Sequence, residues 1–138
     1  MTTLVTENGF APATHPPAIL RPESLPANDD GNLAMSLEPG DELNGVAIHL
    51  HRMEFIQIAF PSFADGRGFT LARRLRLMGF TGRLRATGHV LADQFAMALR
   101  AGFDEVEISD DLAARQTEDQ WLARANWREH DYQRRLRG

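Results

Sequence analysis

The chain of 138 residues contains no cysteine, and this absence excludes several kinds of chemistry at once. Without thiols there is no disulfide, no iron–sulfur ligation, no thiolate metal site and no thiol redox step. Lysine is missing as well, because all 15 basic residues are arginine, so no side chain can form a Schiff base. Any chemistry of this chain must therefore rest on carboxylates, histidines, hydroxyls and arginines.

Long apolar runs and export signals are also missing. No stretch approaches the ~20 apolar residues that a membrane-spanning helix needs. The N-terminus lacks a basic region followed by an apolar one, so we expect a cytoplasmic protein without a signal peptide. Hydrophobic residues make up 43% and charged residues 25% of the chain, which is typical of a globular protein of about one domain.

Acidic residues and prolines are concentrated in the N-terminal third. Residues 1–45 hold seven acids and one arginine (net −6), whereas residues 46–138 hold twelve acids and fourteen arginines (net +2). Six of the seven prolines precede residue 40, where hydrophobic periodicity is weak. We therefore divide the chain into an acidic, proline-rich arm over residues 1–36 and a folded domain over residues 37–138. We expect the arm to be irregular up to residue 32, with too few aliphatic residues for a strand pair. The small positive charge of the second part does not suit a general nucleic-acid binder.

From residue 41 onward, hydrophobic periodicity predicts alternating strands and helices. The predicted strands lie at 55–60, 83–87 and 103–108, and the polar alternation of the third indicates an edge or half-exposed position. The predicted helices lie at 41–50, 69–78, 91–101 and from the capping box at residue 117 onward. Strands that alternate with such helices are parallel and joined by right-handed crossovers. The sequence therefore predicts a small α/β layer with at least three parallel strands joined by right-handed helical crossovers, preceded by an irregular N-terminal arm.

Two glycines flank an arginine just before the second predicted helix, at the sheet edge where parallel α/β folds bind ligands. Backbone N–H groups around Gly66 and Gly68 can turn toward an anion, and the helix dipole adds to the attraction. The forked guanidinium of Arg67 suits an oxyanion, and Arg85 on the next predicted strand lies near the same edge. These four residues form the predicted anion-binding site. The alternative is a tight turn in which Asp65 caps the helix and Arg67 pairs with a nearby carboxylate.

Three titratable residues are candidates for acid–base catalysis at this edge: Asp65, Asp93 and His89. The ordinary pKa of histidine suits proton transfer near neutral pH, and the two aspartates leave neighbouring strand–helix loops. Each has a structural alternative. His89 would have a purely structural role at the end of its strand, and Asp93 would complement the helix dipole from the first turn. His49 and His51 are two residues apart and have no obvious further ligand, so we expect no metal site.

The last predicted helix offers a different kind of surface. Trp121 and Tyr132 fall on one helical stripe and are predicted to pack the helix on the sheet, whereas Trp127 falls off that stripe. Trp127 is therefore a candidate contact for a protein partner.

Two blocks of the sequence carry a family resemblance. The first is Phe60–Thr70 (FPSFADGRGFT), and the second, over residues 79–104, contains GF, LRA, DQ and GFD. Over about residues 37–135, the chain resembles the DUF934 family of bacterial proteins. Members are uncharacterised, or are labelled probable oxidoreductases involved in sulfite reduction because their genes lie beside those of assimilatory sulfate reduction. Two positions depart from the family pattern: Ala101, where a cysteine often stands, and His89, where the family tends to have an acid or asparagine.

Together with the predicted anion-binding loop, the resemblance leads us to expect an accessory protein of assimilatory sulfate and sulfite reduction that binds a small oxyanion, an anionic cofactor group or the sulfite reductase itself. Sulfite reduction is done by siroheme and iron–sulfur centres, and this sequence has neither a cysteine nor a GxGxxG dinucleotide fingerprint. We therefore expect an accessory role rather than a self-sufficient reductase, and the sequence names no cofactor. Two alternatives stay open: a small enzyme that uses Asp65 and Asp93 with help from His89, and a pure protein-interaction module.

Overall fold

The computed structural model describes residues 2–27 and 32–125. In this part of the chain, one sheet contains six strands: β1 (Thr2–Thr6), β2 (Gly9–Pro12), β3 (Leu33–Leu37), β4 (Met53–Phe60), β5 (Arg83–Gly88) and β6 (Glu105–Ser109). The α-helices are α1 (Arg67–Leu77), α2 (Phe95–Ala101), α3 (Asp110–Arg115) and α4 (Glu118–Ala125). Short 3₁₀ helices lie at Pro22–Ser24, Ala47–Arg52 and Ala92–Gln94.

Four of the strands form a parallel core. β3, β4, β5 and β6 are parallel neighbours in chain order, while β1 pairs antiparallel with β6 and β2 antiparallel with β1. Because successive parallel strands advance in one direction, right-handed crossovers place their connecting helices on one face of the sheet. α1 and α2 do contact each other. The predicted α/β layer with at least three parallel strands is confirmed.

The face of the sheet that meets these helices is apolar. Alternate residues of three neighbouring strands point into it and are fully buried: Ile56, Ile58, Leu84, Ala86, Val106 and Ile108. The buried Trp121 of α4 lies edge-on to Phe95 of α2, with ring centroids 5.4 Å apart, so α4 covers the same side. Each fully buried side chain of this kind contributes about 1.5–3 kcal/mol, which makes this layer the main source of stability.

The opposite face of the sheet is polar. Six of its residues are polar: Gln57 on β4, Arg83, Arg85 and Thr87 on β5, and Glu105 and Glu107 on β6. Purely parallel sheets usually carry helices on both faces, whereas α1, α2 and α4 all lie on the apolar one. This polar face is where the charged side chains of the sheet meet.

Residues 2–12 correct the expectation of an arm without a strand pair. β1 and β2 extend the sheet beyond β6, and Leu4 and Val5 are buried. The expectation was wrong because β1 is held by β6, a partner more than 100 residues away, so it needs few aliphatic residues of its own. Residues 13–19 have no regular secondary structure.

The region around β6 brings two further corrections. β6 is neither an edge strand nor half-exposed: it lies between β1 and β5, and its residues 105–108 are buried. The prediction was wrong because buried glutamates can be paired with arginines. The segment after β6, expected to be a loop, forms α3, where the hydroxyl of Ser109 accepts a hydrogen bond from the Leu112 N–H at 3.1 Å.

Elsewhere, turns and the 3₁₀ helix Ala47–Arg52 replace the helix predicted over 41–50. Tyr132 and Trp127 lie outside the described residues.

Candidate functional site

The loops that follow β4 and β5 meet at the carboxyl edge of the sheet, as expected for parallel strands. The backbone N–H of His89 donates to the Phe60 carbonyl at 2.9 Å, and the ring of Phe63 lies edge-on to the imidazole at 4.9 Å. The side-chain amide of Gln94 donates to the Phe63 carbonyl at 3.2 Å while its oxygen accepts the Leu91 N–H at 2.8 Å. The two loops therefore form one surface.

Glycines in these loops are required by close packing. Gly88 has a φ of +107°, and a Cβ atom there would lie 2.7 Å from the carbonyl oxygen of Phe60. A Cβ atom on Gly68 would lie 2.5 Å from the ring of Phe60, so Gly68 lets α1 approach β4. Gly66 is the residue before α1, and a Cβ atom there would meet only the ring of Phe69, at 3.8 Å.

Arg67 is held by the carboxylate two residues before it. Its Nε donates to Asp65 Oδ1 at 3.0 Å, its Nη2 to Oδ2 at 2.8 Å, and its backbone N–H to Oδ1 at 3.2 Å. These hydrogen bonds from Arg67 lower the pKa of Asp65 below its ordinary value and raise the pKa of Arg67. The Arg67 side chain is nevertheless 66% exposed. The local pairing foreseen as an alternative is thus present, and it leaves Nη1 of Arg67 facing solvent without a partner in the described residues.

The other two catalytic candidates have separate surroundings. Asp93 is 79% exposed and accepts a hydrogen bond from Arg124 Nη2 at 2.8 Å. Nδ1 of His89 lies 3.1 Å from the Phe60 carbonyl oxygen. Because a carbonyl oxygen only accepts, this contact places a proton on Nδ1. Asp65 and Asp93 are thus paired with different arginines.

Arg85 does not join the Arg67 loop, because it lies on the polar face of the sheet. Its Nε donates to Glu105 at 2.6 Å and its Nη1 to Glu107 at 3.0 Å. Its guanidinium carbon lies 4.9 Å from the centroid of the Phe55 ring, and only 3% of the side chain is exposed. Arg67 and Arg85, predicted to share one anion, therefore have no common contact.

The glutamates around Arg85 connect distant parts of the chain. Glu105, fully buried, also accepts from Arg83, and Glu107 accepts from the Thr2 hydroxyl at 2.7 Å and lies 2.9 Å from His15 Nε2. Burial opposes ionisation of Glu107, but these hydrogen bonds and that from Arg85 outweigh it and hold the pKa of Glu107 below its usual range.

Sequence reasoning missed His15, Glu105 and Glu107 as members of this network. The charged alternation at 83 and 85 and again at 105 and 107 was the available signal, since neighbouring parallel strands bring equivalent positions side by side.

The described residues contain neither a cluster of metal-ligating side chains nor a membrane-spanning helix. No group of three or more histidine, aspartate or glutamate side chains in residues 2–27 and 32–125 could hold a metal ion. Over the same ranges, no helix is long and apolar enough to cross a membrane.

Comparison with known proteins identifies the family. The family model described as "Bacterial protein of unknown function (DUF934)" matches residues 34–138, and the chain therefore belongs to the DUF934 family. No curated protein and no solved structure matches the chain. The match begins within β3, so β1, β2 and residues 13–33 lie before it.

Proposed function

We propose that this protein is an accessory protein of assimilatory sulfite reduction, which recognises an anionic group through Arg67. The anionic group is a small oxyanion, an anionic cofactor group or a carboxylate of the sulfite reductase itself. The observation that carries the anion-binding part is the exposed guanidinium of Arg67, fixed by Asp65 at the first residue of α1. The pathway is taken from the label that members of the DUF934 family carry.

The geometry of the Asp65–Arg67 pair supports recognition of an anion. Asp65 occupies Nε and one side of Nη2, so the outer edge of the guanidinium, with both N–H groups of Nη1, remains for two oxygen acceptors. Fixing the guanidinium in advance reduces the side-chain entropy lost on binding. The dipole of α1 adds a partial positive charge beside it.

An accessory role fits these residues better than acid–base catalysis. A general acid near neutral pH needs a raised pKa, whereas hydrogen bonds from Arg67 lower the pKa of Asp65. Asp93 is open to solvent and paired with Arg124. No cysteine is present to ligate an iron–sulfur centre.

A genetic experiment tests the proposal. In a bacterium that carries the gene, its deletion should slow growth on sulfate but not on sulfide, and the wild-type gene should restore growth. The Arg67→Ala variant should fail to restore growth, and Arg67→Lys should restore it only in part, because lysine keeps the charge but loses the fork. Arg115→Ala, a change at an exposed arginine of α3, is the matched control and should behave as wild type. Equal growth of the deletion strain on both sulfur sources would refute the pathway.

Co-purification separates the two kinds of anionic group. Capture of a sulfite reductase subunit by the wild-type protein, but not by Arg67→Ala, would identify the reductase as the bearer of the anion. Capture that is unaffected by Arg67→Ala would favour an interaction module that uses another surface.

A further inference from the structure

A segment of the N-terminal region crosses the polar face of the sheet. β2 ends at Pro12 at one edge, and at the other edge Leu20 donates its N–H to Ala34 at 2.8 Å and accepts the Ser36 N–H at 2.8 Å. Residues 13–19, called the strap, connect these two points. His15 of the strap contacts both carboxylate oxygens of Glu107, at 3.0 and 2.9 Å, which places the strap on the polar face.

The length of the strap leaves it little slack. Leu20 pairs with the outer side of β3, so six strand spacings of ~4.8 Å, about 29 Å in all, separate β2 from Leu20. The eight residue steps from Pro12 to Leu20 reach at most about 26–29 Å when fully extended. Pro16 and Pro17 in the middle favour extended backbone. The strap is therefore almost fully extended, and it has no spare length with which to fill the space between itself and the sheet.

A cleft of about 300 Å³ lies between the strap and the sheet. Residues 14–16 line it from the strap, and Glu54, Phe55, Arg83 and Arg85 line it from the sheet. This volume is at the lower end of the range for small-molecule sites, which are about 300–1,000 Å³. The cleft is thus large enough for a small molecule, and it lies on the opposite side of the sheet from α1, α2 and α4.

Some charged groups of the cleft keep hydrogen-bonding capacity beyond their ion pairs. Arg85 is almost fully buried, yet in the described residues its Nη2 donates no hydrogen bond. Arg83 donates from Nη1 to Glu105, and its side chain is 57% exposed. Glu54 is exposed and forms no ion pair within the described part of the chain. Free donors and a free carboxylate therefore line the same cleft.

The charge balance decides which ligand fits. Arg83 and Arg85 are balanced by Glu105 and Glu107, and the further carboxylate of Glu54, which lines the same cleft, would repel a simple anion. A molecule with both a carboxylate and an ammonium group adds no net charge. It can satisfy the arginine donors and Glu54 together.

We infer that the cleft beneath the strap binds a free α-amino acid. Its carboxylate accepts from Arg83 and from Nη2 of Arg85, its ammonium group donates to Glu54, and its side chain packs against Phe55 and Pro16. This site is independent of the Arg67 loop, so it extends the proposed function rather than resting on it.

Binding to the full-length protein tests the inference. Each proteinogenic L-amino acid is screened by thermal shift, and those that raise the melting temperature are titrated by calorimetry. At least one amino acid should bind saturably. Its analogues without the amino group or without the carboxylate should bind about tenfold or more weakly, because each loses a charge-assisted hydrogen bond. If no amino acid binds, or if the analogue without the amino group binds equally well, the inference is wrong.

Substitutions locate the site. Glu54→Gln and Arg83→Gln change exposed side chains, so they should fold, and each should weaken amino-acid binding about tenfold or more. Arg115→Gln is the matched control on α3 and should leave the affinity unchanged. Arg67→Ala should also leave it unchanged, which separates this site from the proposed function. Binding that survives both Glu54→Gln and Arg83→Gln would place the amino acid elsewhere and overturn the inference.

Discussion

Replacement of Arg85 by methionine should destabilise the protein more than any change at an exposed arginine. The Arg85 side chain is 3% exposed and donates to Glu105, which is 0% exposed, and to Glu107. Methionine has a similar length and can still cover Phe55, so the main loss is electrostatic. Two buried carboxylates then lose a cationic partner.

The size of the effect follows from the partners that remain. Breaking a buried ion pair destabilises a protein by about 3–5 kcal/mol, because the surviving charge is left uncompensated. Here Glu105 keeps Arg83, and Glu107 keeps Thr2 and His15. We therefore expect a loss in the free energy of unfolding at the lower end of this range, about 3 kcal/mol. For a chain of this length this corresponds to a fall in melting temperature of roughly 10 °C.

Urea denaturation followed by tryptophan fluorescence measures this loss, with Arg115→Met as the exposed control. The control should change the free energy of unfolding by less than about 0.5 kcal/mol. Adding Glu105→Gln to Arg85→Met should restore part of the stability, because it removes the orphaned charge. A loss below about 1 kcal/mol for Arg85→Met, or strict additivity in the double variant, would refute the reasoning that this network is buried and coupled.

Three other changes probe separate features of the fold. Because the pKa of Glu107 is lowered in the folded state, the ionised carboxylate adds to the free energy of unfolding above the ordinary pKa of glutamate, and this stabilisation is lost as the pH falls below that value. Glu107→Gln should therefore flatten the acid side of a plot of urea midpoint against pH. Gly88→Ala forces a Cβ atom to 2.7 Å from the Phe60 carbonyl oxygen at a φ of +107°. We expect the free energy of unfolding, measured in urea, to fall by about 2 kcal/mol. The control Gly45→Ala should change it little, because a Cβ atom there would meet nothing within 4 Å. Trp121→Leu removes a fully buried indole and should lower the free energy of unfolding by about 3 kcal/mol; a loss below about 1 kcal/mol would mean that α4 is not docked.

The parallel core could be predicted because its signals are local. The apolar alternation of β4 and the helical spacing of α2 depend only on neighbouring residues. Gly102, with a φ of +117°, ends α2, as its position in the sequence predicts. The predicted strands at 55–60 and 83–87 correspond to β4 and β5.

The order of the sheet could not be predicted in the same way. The position of β6 depends on β1, whose residues lie more than 100 positions away, and a single sequence carries no record of that pairing. Polar alternation in β6 indicates exposure only when the polar side chains lack partners. Glu105 and Glu107 have partners on β5, and they are buried for that reason.

In the candidate site too, the local contacts could be predicted and the long-range contacts could not. The pairing of Arg67 with Asp65 spans two residues, and local reasoning offered it as one of two readings. The surroundings of Arg85 come from β6, about 20 residues away, and from His15, which no local pattern connects to it. Arg85 was therefore assigned to the carboxyl edge from its strand position, although its side chain points across the polar face.

The one-sided placement of the helices explains why the N-terminal region is built as it is. Because α1, α2 and α4 cover only the apolar face, the charged face needs a cover that these three helices of the described residues do not provide. The strap provides part of that cover, and β1 brings Thr2 within 2.7 Å of Glu107. Both lie before residue 34, where the family match begins. The region that looked like a loose, acidic arm in the sequence therefore completes the sheet and closes the cleft in which Arg83, Arg85 and Glu54 lie.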